Sequence, residues 1–157
     1  MQKITTFLWF DNNAEEAVNF YTSIFKDSKI GTVNRYSEVG PGPVDSVMIA
    51  TFSIQGQEFI ALNGGPMFKF TEAISLVVNT ESQEETDEMW ERLSAGGEKS
   101  QCGWLKDKFG LSWQVVPTAL PGLISGPDKE GSKRAMQAMM KMSKLDINVL
   151  QKAYDGK

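Results

Sequence analysis

The sequence predicts an α+β protein in which one order of elements, a strand, a capped helix and then several strands, occurs twice. Three observations carry that expectation. Residues 3–11 (KITTFLWFD) alternate and are rich in β-formers. Residues 72–97 repeat the pattern as EAISLVVNT, a polar cap and an amphipathic helix ending at Gly96-Gly97. Each is followed by strand pairs with tight-turn signals, Gln55-Gly56 in the first copy and Asp107-Lys108-Phe109-Gly110 in the second.

In the first strand Ile4, Thr6, Leu8 and Phe10 share one face, and Thr5, Phe7 and Trp9 share the other. Asn12 or Asn13 is expected to cap the following helix, with Glu15 and Glu16 at its positive end. Ala14, Ala17, Val18, Tyr21, Ile24 and Phe25 recur at helical spacing. KIGTVNRYSE is the next strand, VGPGPVD a loop, and SVMIATFSIQGQEFIALN a hairpin closed by Asn63-Gly64-Gly65-Pro66. In the second copy Ser82 and Glu85 form a capping box, and Met89, Trp90 and Leu93 form the apolar stripe. Leu111, Trp113 and Val115 then share one face of the last strand, with Ser112, Gln114 and Val116 on the other.

These signals divide the chain into a domain over residues 1–117, with modules of about 1–66 and 67–117, and an extension over 118–157. In the extension TALPGLISGPDKEGS reads as a loop and KRAMQAMMKMSK as a helix with Met136, Met139 and Met140 on one side. Asp146 caps a last helix, stapled by Leu145 and Leu150.

Composition removes whole classes of chemistry. The 157 residues include no histidine, which excludes Ser-His-Asp and Cys-His catalysis and the commonest zinc and iron ligand. The net charge of −4 shows no basic stripe, so nucleic acid is not an expected partner. No apolar run is long enough to span a bilayer and the N-terminal residues lack a signal-peptide core, so a cytoplasmic protein without a membrane partner is expected. One cysteine, Cys102, allows no internal disulfide; without a histidine partner it reads as a packing residue rather than a nucleophile.

The phrases GWLKDKFGLSWQVVP, LNGGP and KLDINVLQKAY resemble the PhnB-like, demethylubiquinone methyltransferase-like branch of the vicinal-oxygen-chelate (glyoxalase/bleomycin resistance/dioxygenase) superfamily. The resemblance implies two βαβββ modules that form a curved mixed-sheet cup with helices outside, and a homodimer. It also implies four metal-ligand positions on the inner face. Carried over by strand parity, these fall at Thr5, Ala61 (with Asn63 two residues on), Ala73 and Gln114, with Glu72 entering if the register slips. None of the four carries a charge, an imidazole or a thiolate, so no metal and no cofactor are expected.

The inner face is then expected to hold Thr5, Phe7, Trp9, Phe59, Asn63, Ser75, Val77, Asn79, Ser112 and Gln114, with Trp104 at the mouth. Aromatics mixed with neutral hydrogen-bonders suit a small-molecule pocket, including one for a planar or cationic ligand. The favoured reading is a protein that binds a small molecule in a metal-free cup; the residues assign no catalytic group. The alternatives are a methyltransferase of the demethylubiquinone type, a metal-dependent lyase, dioxygenase or isomerase, and a dimeric structural protein with a vestigial cup. The methyltransferase alternative lacks a glycine-rich turn after its first strand, which runs into Asp11-Asn12-Asn13.

Overall fold

A computed structural model describes residues 2–157. The chain forms two compact units, the first ending at Phe70 and the second running from Thr71 to Lys157. Phe70 belongs to the first because its ring packs edge-on against Phe10, centroids 5.2 Å apart.

The first unit has the order β1 (Thr6–Phe10), α1 (Ala14–Ile24), β2 (Ser28–Arg35), β3 (Val47–Ile54) and β4 (Gln57–Asn63). Its sheet order is β1-β4-β3-β2, with β1 parallel to β4 and the other pairs antiparallel. Gln55 and Gly56 both take positive φ, 48° and 81°, and join β3 to β4 in two residues. Helix α1 buries Ala14, Ala17, Val18, Tyr21 and Ile24. Tyr21 stacks on Phe52 of β3, and Phe52 on Phe59 of β4. Each large apolar side chain buried this way contributes roughly 1.5–3 kcal/mol, so this helix-on-sheet layer is the core of the unit.

The second unit repeats the order with β5 (Ser75–Thr80), α2 (Gln83–Ser94), β6 (Glu98–Lys99), β7 (Trp104–Lys106) and β8 (Ser112–Pro117). The sheet order is β5-β8-β7-β6, again with one parallel pair, β5 and β8. The Ser82 hydroxyl accepts the N–H of Glu85, and the Glu85 carboxylate accepts the N–H of Glu81, one residue earlier than in a standard capping box. Met89, Trp90 and Leu93 bury against the sheet face that carries Leu105, Trp113 and Val115. Both modules are thus βαβββ, and each sheet has a helix-covered face and a far face.

The extension packs with the second unit. The stretch expected as a loop contains a short helix, α3 (Leu120–Ile124), where Pro121 costs no hydrogen bond in the first turn and Leu120 and Leu123 supply buried side chains. Helix α4 (Lys129–Met139) starts four residues before the expected Lys133, because Asp128 caps it through the Gly131 N–H. Of its methionines, Met139 packs on the cluster Leu120, Leu123, Ala135, Leu145 and Leu150, while Met140 is exposed. Asp146 caps α5 (Ile147–Asp155), and Leu145 and Leu150 are both buried. No helix among the described residues is long and apolar enough to cross a membrane.

Candidate functional site

Strand pairing decides which residues share a face. In the second unit the pairs Ser75 with Ser112, Val77 with Gln114, Asn79 with Val116, Trp104 with Gln114 and Lys106 with Ser112 put all these side chains on the far face. Ser75, Asn79, Trp104, Ser112 and Gln114 therefore lie together as the alternation predicts. The Gln114 amide donates to the Ser75 hydroxyl at 2.9 Å.

This face opens into a cleft of ≈ 540 Å³ lined by Trp104, Lys106 and Ser112, by Glu72 and Glu98, and by the Ser100–Cys102 loop. That volume is in the range of small-molecule sites. The Ser112 side chain is fully buried, and its hydroxyl has no hydrogen-bond partner among the described residues. An unsatisfied buried hydroxyl costs roughly 1–3 kcal/mol, a cost that a ligand atom can remove. Lys106 pairs with Glu72 across the cleft. The hydrogen bond from Lys106, then that from the backbone of Glu72 itself, hold the Glu72 carboxyl below the usual carboxylate range. Glu72, and to a smaller degree the charge of Glu98, raise the Lys106 ammonium in turn.

Asp107 shapes the turn beside the cleft. It is buried, and its carboxylate accepts the N–H groups of Phe109 and Leu111 and the indole N–H of Trp113, at 2.9, 3.1 and 2.9 Å. Gly110, at φ 89°, closes the turn on the Asp107 carbonyl. On the other side Cys102 and Gly103 both have positive φ, and their N–H groups donate to the carbonyls of Met142 and Ser143, each at 2.8 Å. The Cys102 thiol donates to the Met139 carbonyl. The extension thus fixes one wall of the cleft, and Cys102 serves that attachment.

In the first unit Phe7 and Trp9 pair with Ile60 and Leu62 on the far face, and Thr5 has their parity just before β1. Trp9 is fixed by its indole N–H to the Gly65 carbonyl, 2.9 Å, and by edge contact with Phe68. A Cβ at Gly64 would overlap the Trp9 ring, which explains a glycine in the Asn63-Gly64-Gly65-Pro66 turn.

Two expected pocket residues are on the wrong face. Phe59 and Asn63 pair with Thr6 and Phe10, so they join Leu8 on the side of α1. Phe59 is 4% exposed and stacked on Phe52. The Asn63 side chain accepts the Ala14 N–H at 2.8 Å and donates to the Val47 carbonyl at 2.9 Å. It does the capping expected of Asn12 or Asn13; Asn13 is the N-cap residue but makes no side-chain cap bond. Ala61 is likewise fully buried beneath the helix. Sequence reasoning missed Lys106 and Glu98. The available signal was parity: Lys106 lies two residues from Trp104 and so on its face.

The implied cofactors can be tested against these side chains. Among the described residues no three His, Cys, Asp or Glu side chains cluster as a metal would require. Ala61 and Ala73 offer no side-chain donor at two of the four carried-over ligand positions. A methyl-donor nucleotide is usually held at a glycine-rich strand-to-helix turn of a doubly wound α/β sheet. The three strand-to-helix connections among the described residues, 11–13, 81–82 and 118–119, contain no glycine. Neither group fits the residues present.

Residues 2–116 match the model of the 3-demethylubiquinone-9 3-methyltransferase family. The chain belongs to this PhnB-like family. A PhnB protein from Bacillus cereus carrying the same methyltransferase label is 43% identical, with 74% of this chain matching 100% of that one at a TM-score of 0.69. A protein from Pseudomonas aeruginosa is 20% identical, covering 74% of this chain and 98% of that one, TM-score 0.62. The fosfomycin resistance protein FosX from Listeria monocytogenes, solved with Mn(II) and sulfate, is 18% identical, covering 77% and 94%, TM-score 0.53. The last two likenesses are of fold. No curated protein matches the chain. The match of this PhnB-like chain to its family stops before α3, α4 and α5.

Proposed function

We propose that this PhnB-like protein binds a small organic molecule in the cleft of its second module, without a metal ion. The observation that carries the reading is the buried, unpartnered Ser112 hydroxyl at a cleft that also presents the Trp104 ring and ionic groups. Such a mixture of apolar surface and few convergent polar groups is what small-ligand sites use. The donor set supports the absence of a metal, and the glycine-free connections count against a methyl-transfer reaction of the nucleotide-dependent kind. A homodimer is proposed as the family resemblance implies, and a cytoplasmic location accords with the single cysteine.

The test is a thermal-shift screen of metabolites and drugs with protein purified without chelator, alongside elemental analysis. A ligand at 100 times its dissociation constant should add about 2.7 kcal/mol of stability. The shift should be lost in Trp104→Ala. Stoichiometric transition metal in the purified protein would overturn the metal-free part. Turnover of S-adenosylmethionine with a quinol acceptor would overturn the binding-protein reading.

A further inference from the structure

We propose that the cleft of the second module selects a protonated organic amine. This rests on the small-molecule reading above and names its ligand class. Four ionic side chains line the cleft: Glu72, Glu98, Lys99 and Lys106. The Lys99 ammonium is 2.7 Å from Glu91 of α2, so its charge is matched there and not by the cleft. Lys106 is paired with Glu72. The carboxylate of Glu98, the cross-strand partner of Lys106 on the far face, makes no ion pair or hydrogen bond among the described residues and acts on Lys106 only through its charge. One carboxylate is thus left over beside Trp104 and the unpartnered Ser112 hydroxyl.

An ammonium group matches all three features. Its N–H bonds can donate to the Ser112 oxygen and to the Glu98 carboxylate, and Trp104 offers an aromatic face to a cation or to the carbon body that bears it. An anionic ligand would meet two carboxylates and an ammonium already engaged. A neutral alcohol could satisfy Ser112 but would leave Glu98 unmatched. A bare metal ion lacks a third strong ligand. Because Glu98 is exposed, the preference should weaken as salt rises.

The experiment is isothermal titration of the full chain with three probes of one shape, 2-phenylethylamine, phenylacetate and 2-phenylethanol, at neutral pH in low and high salt. The amine should bind about tenfold tighter than either other probe at low salt, and the margin should shrink at high salt. Glu98→Gln should remove most of that margin, and Lys106→Gln, which frees Glu72, should widen it. Ser112→Ala should weaken the amine while leaving the fold intact by near-ultraviolet circular dichroism. Glu91→Gln, which releases the Lys99 ammonium at the cleft, should narrow the amine's margin. Tighter or equal binding of phenylacetate or 2-phenylethanol would overturn the amine proposal and leave the small-molecule reading standing. Amine binding indifferent to Glu98→Gln and Ser112→Ala would also overturn it, since the site would then be elsewhere. Binding by none of the three would overturn the amine proposal, and failure of the wider ligand screen as well would remove the reading beneath it.

Discussion

The side-chain oxygen of Asn63 accepts the backbone N–H of Ala14 at 2.8 Å, so the last residue of β4 caps a helix that begins 49 residues earlier. Its amide also holds the Val47 carbonyl, and its own carbonyl accepts the Tyr36 hydroxyl at 2.5 Å. Asn63→Ala should therefore cost about 1–3 kcal/mol of stability, from one lost cap and one orphaned carbonyl. Asn63→Asp should recover part of this, since a carboxylate still caps the helix but cannot donate to Val47. Urea denaturation decides it; an unchanged midpoint in Asn63→Ala would mean the residue does not hold the module together.

That residue also shows where the sequence was legible and where it was not. In β1 and β8 large apolar side chains alternate with others, and the alternation placed Phe7, Trp9, Ser112 and Gln114 on the far faces. In β4 the run Phe59-Ile60-Ala61-Leu62 is apolar on both sides, so alternation carries no sign. The two-residue turn pairs Phe52 with Phe59, but only tertiary packing with Tyr21 shows which face that pair takes. The far-face residues of β4 are Ile60 and Leu62. Caps were legible at Ser82 and Asp146, where a polar residue precedes an apolar helical stripe, but not at Asp128, where the Gly131-Ser132 start of α4 looks like loop, nor at Asn63, where the cap comes from a distant strand. Helix α3 was hidden because a Leu-Pro-Gly-Leu stretch looks like a loop until its leucines find a cluster to enter.

Asp107 is 3% exposed and accepts three N–H groups, so it organises the closing hairpin of the second module. Asp107→Ala strands all three donors and should cost about 3 kcal/mol or more. Asp107→Asn keeps one acceptor oxygen but turns a donor toward another group; its cost should be smaller, about 1–3 kcal/mol. Chemical denaturation followed by tryptophan fluorescence would order the two. Equal stability of Asp107→Asn and the parent would show that the Trp113 indole is not held by charge.

The extension is attached to α2 through Lys144, whose ammonium is 2.8 Å from Asp87. The Lys144 hydrogen bond first, and that from Gln83 second, lower the Asp87 carboxyl below its usual range. A depressed carboxyl stabilises the fold at pH above its unfolded value, and the contribution is lost as pH falls through the depressed value. Both side chains are more than a third exposed, so solvent screening keeps the effect small, about 0.5 kcal/mol at neutral pH. Asp87→Asn should be less stable than the parent by that amount at neutral pH in low salt. The gap should close in strong acid and in high salt. Melting curves across pH would detect it, and a gap that widens in acid would contradict the assigned direction.

Ser112 sets stability against ligand capture. Its hydroxyl is buried and has no hydrogen-bond partner among the described residues, whereas a methyl group there would leave nothing unsatisfied. Ser112→Ala should therefore raise the stability of the free protein by about 1 kcal/mol, or roughly 2–4 °C in Tm. The same substitution should reduce the stabilisation gained from any ligand that bonds the hydroxyl. A residue kept for packing alone would give the first effect without the second, and a hydroxyl satisfied within the fold would give neither. Opposite signs for the free and ligand-loaded protein are thus the signature of a side chain that gives up stability for binding.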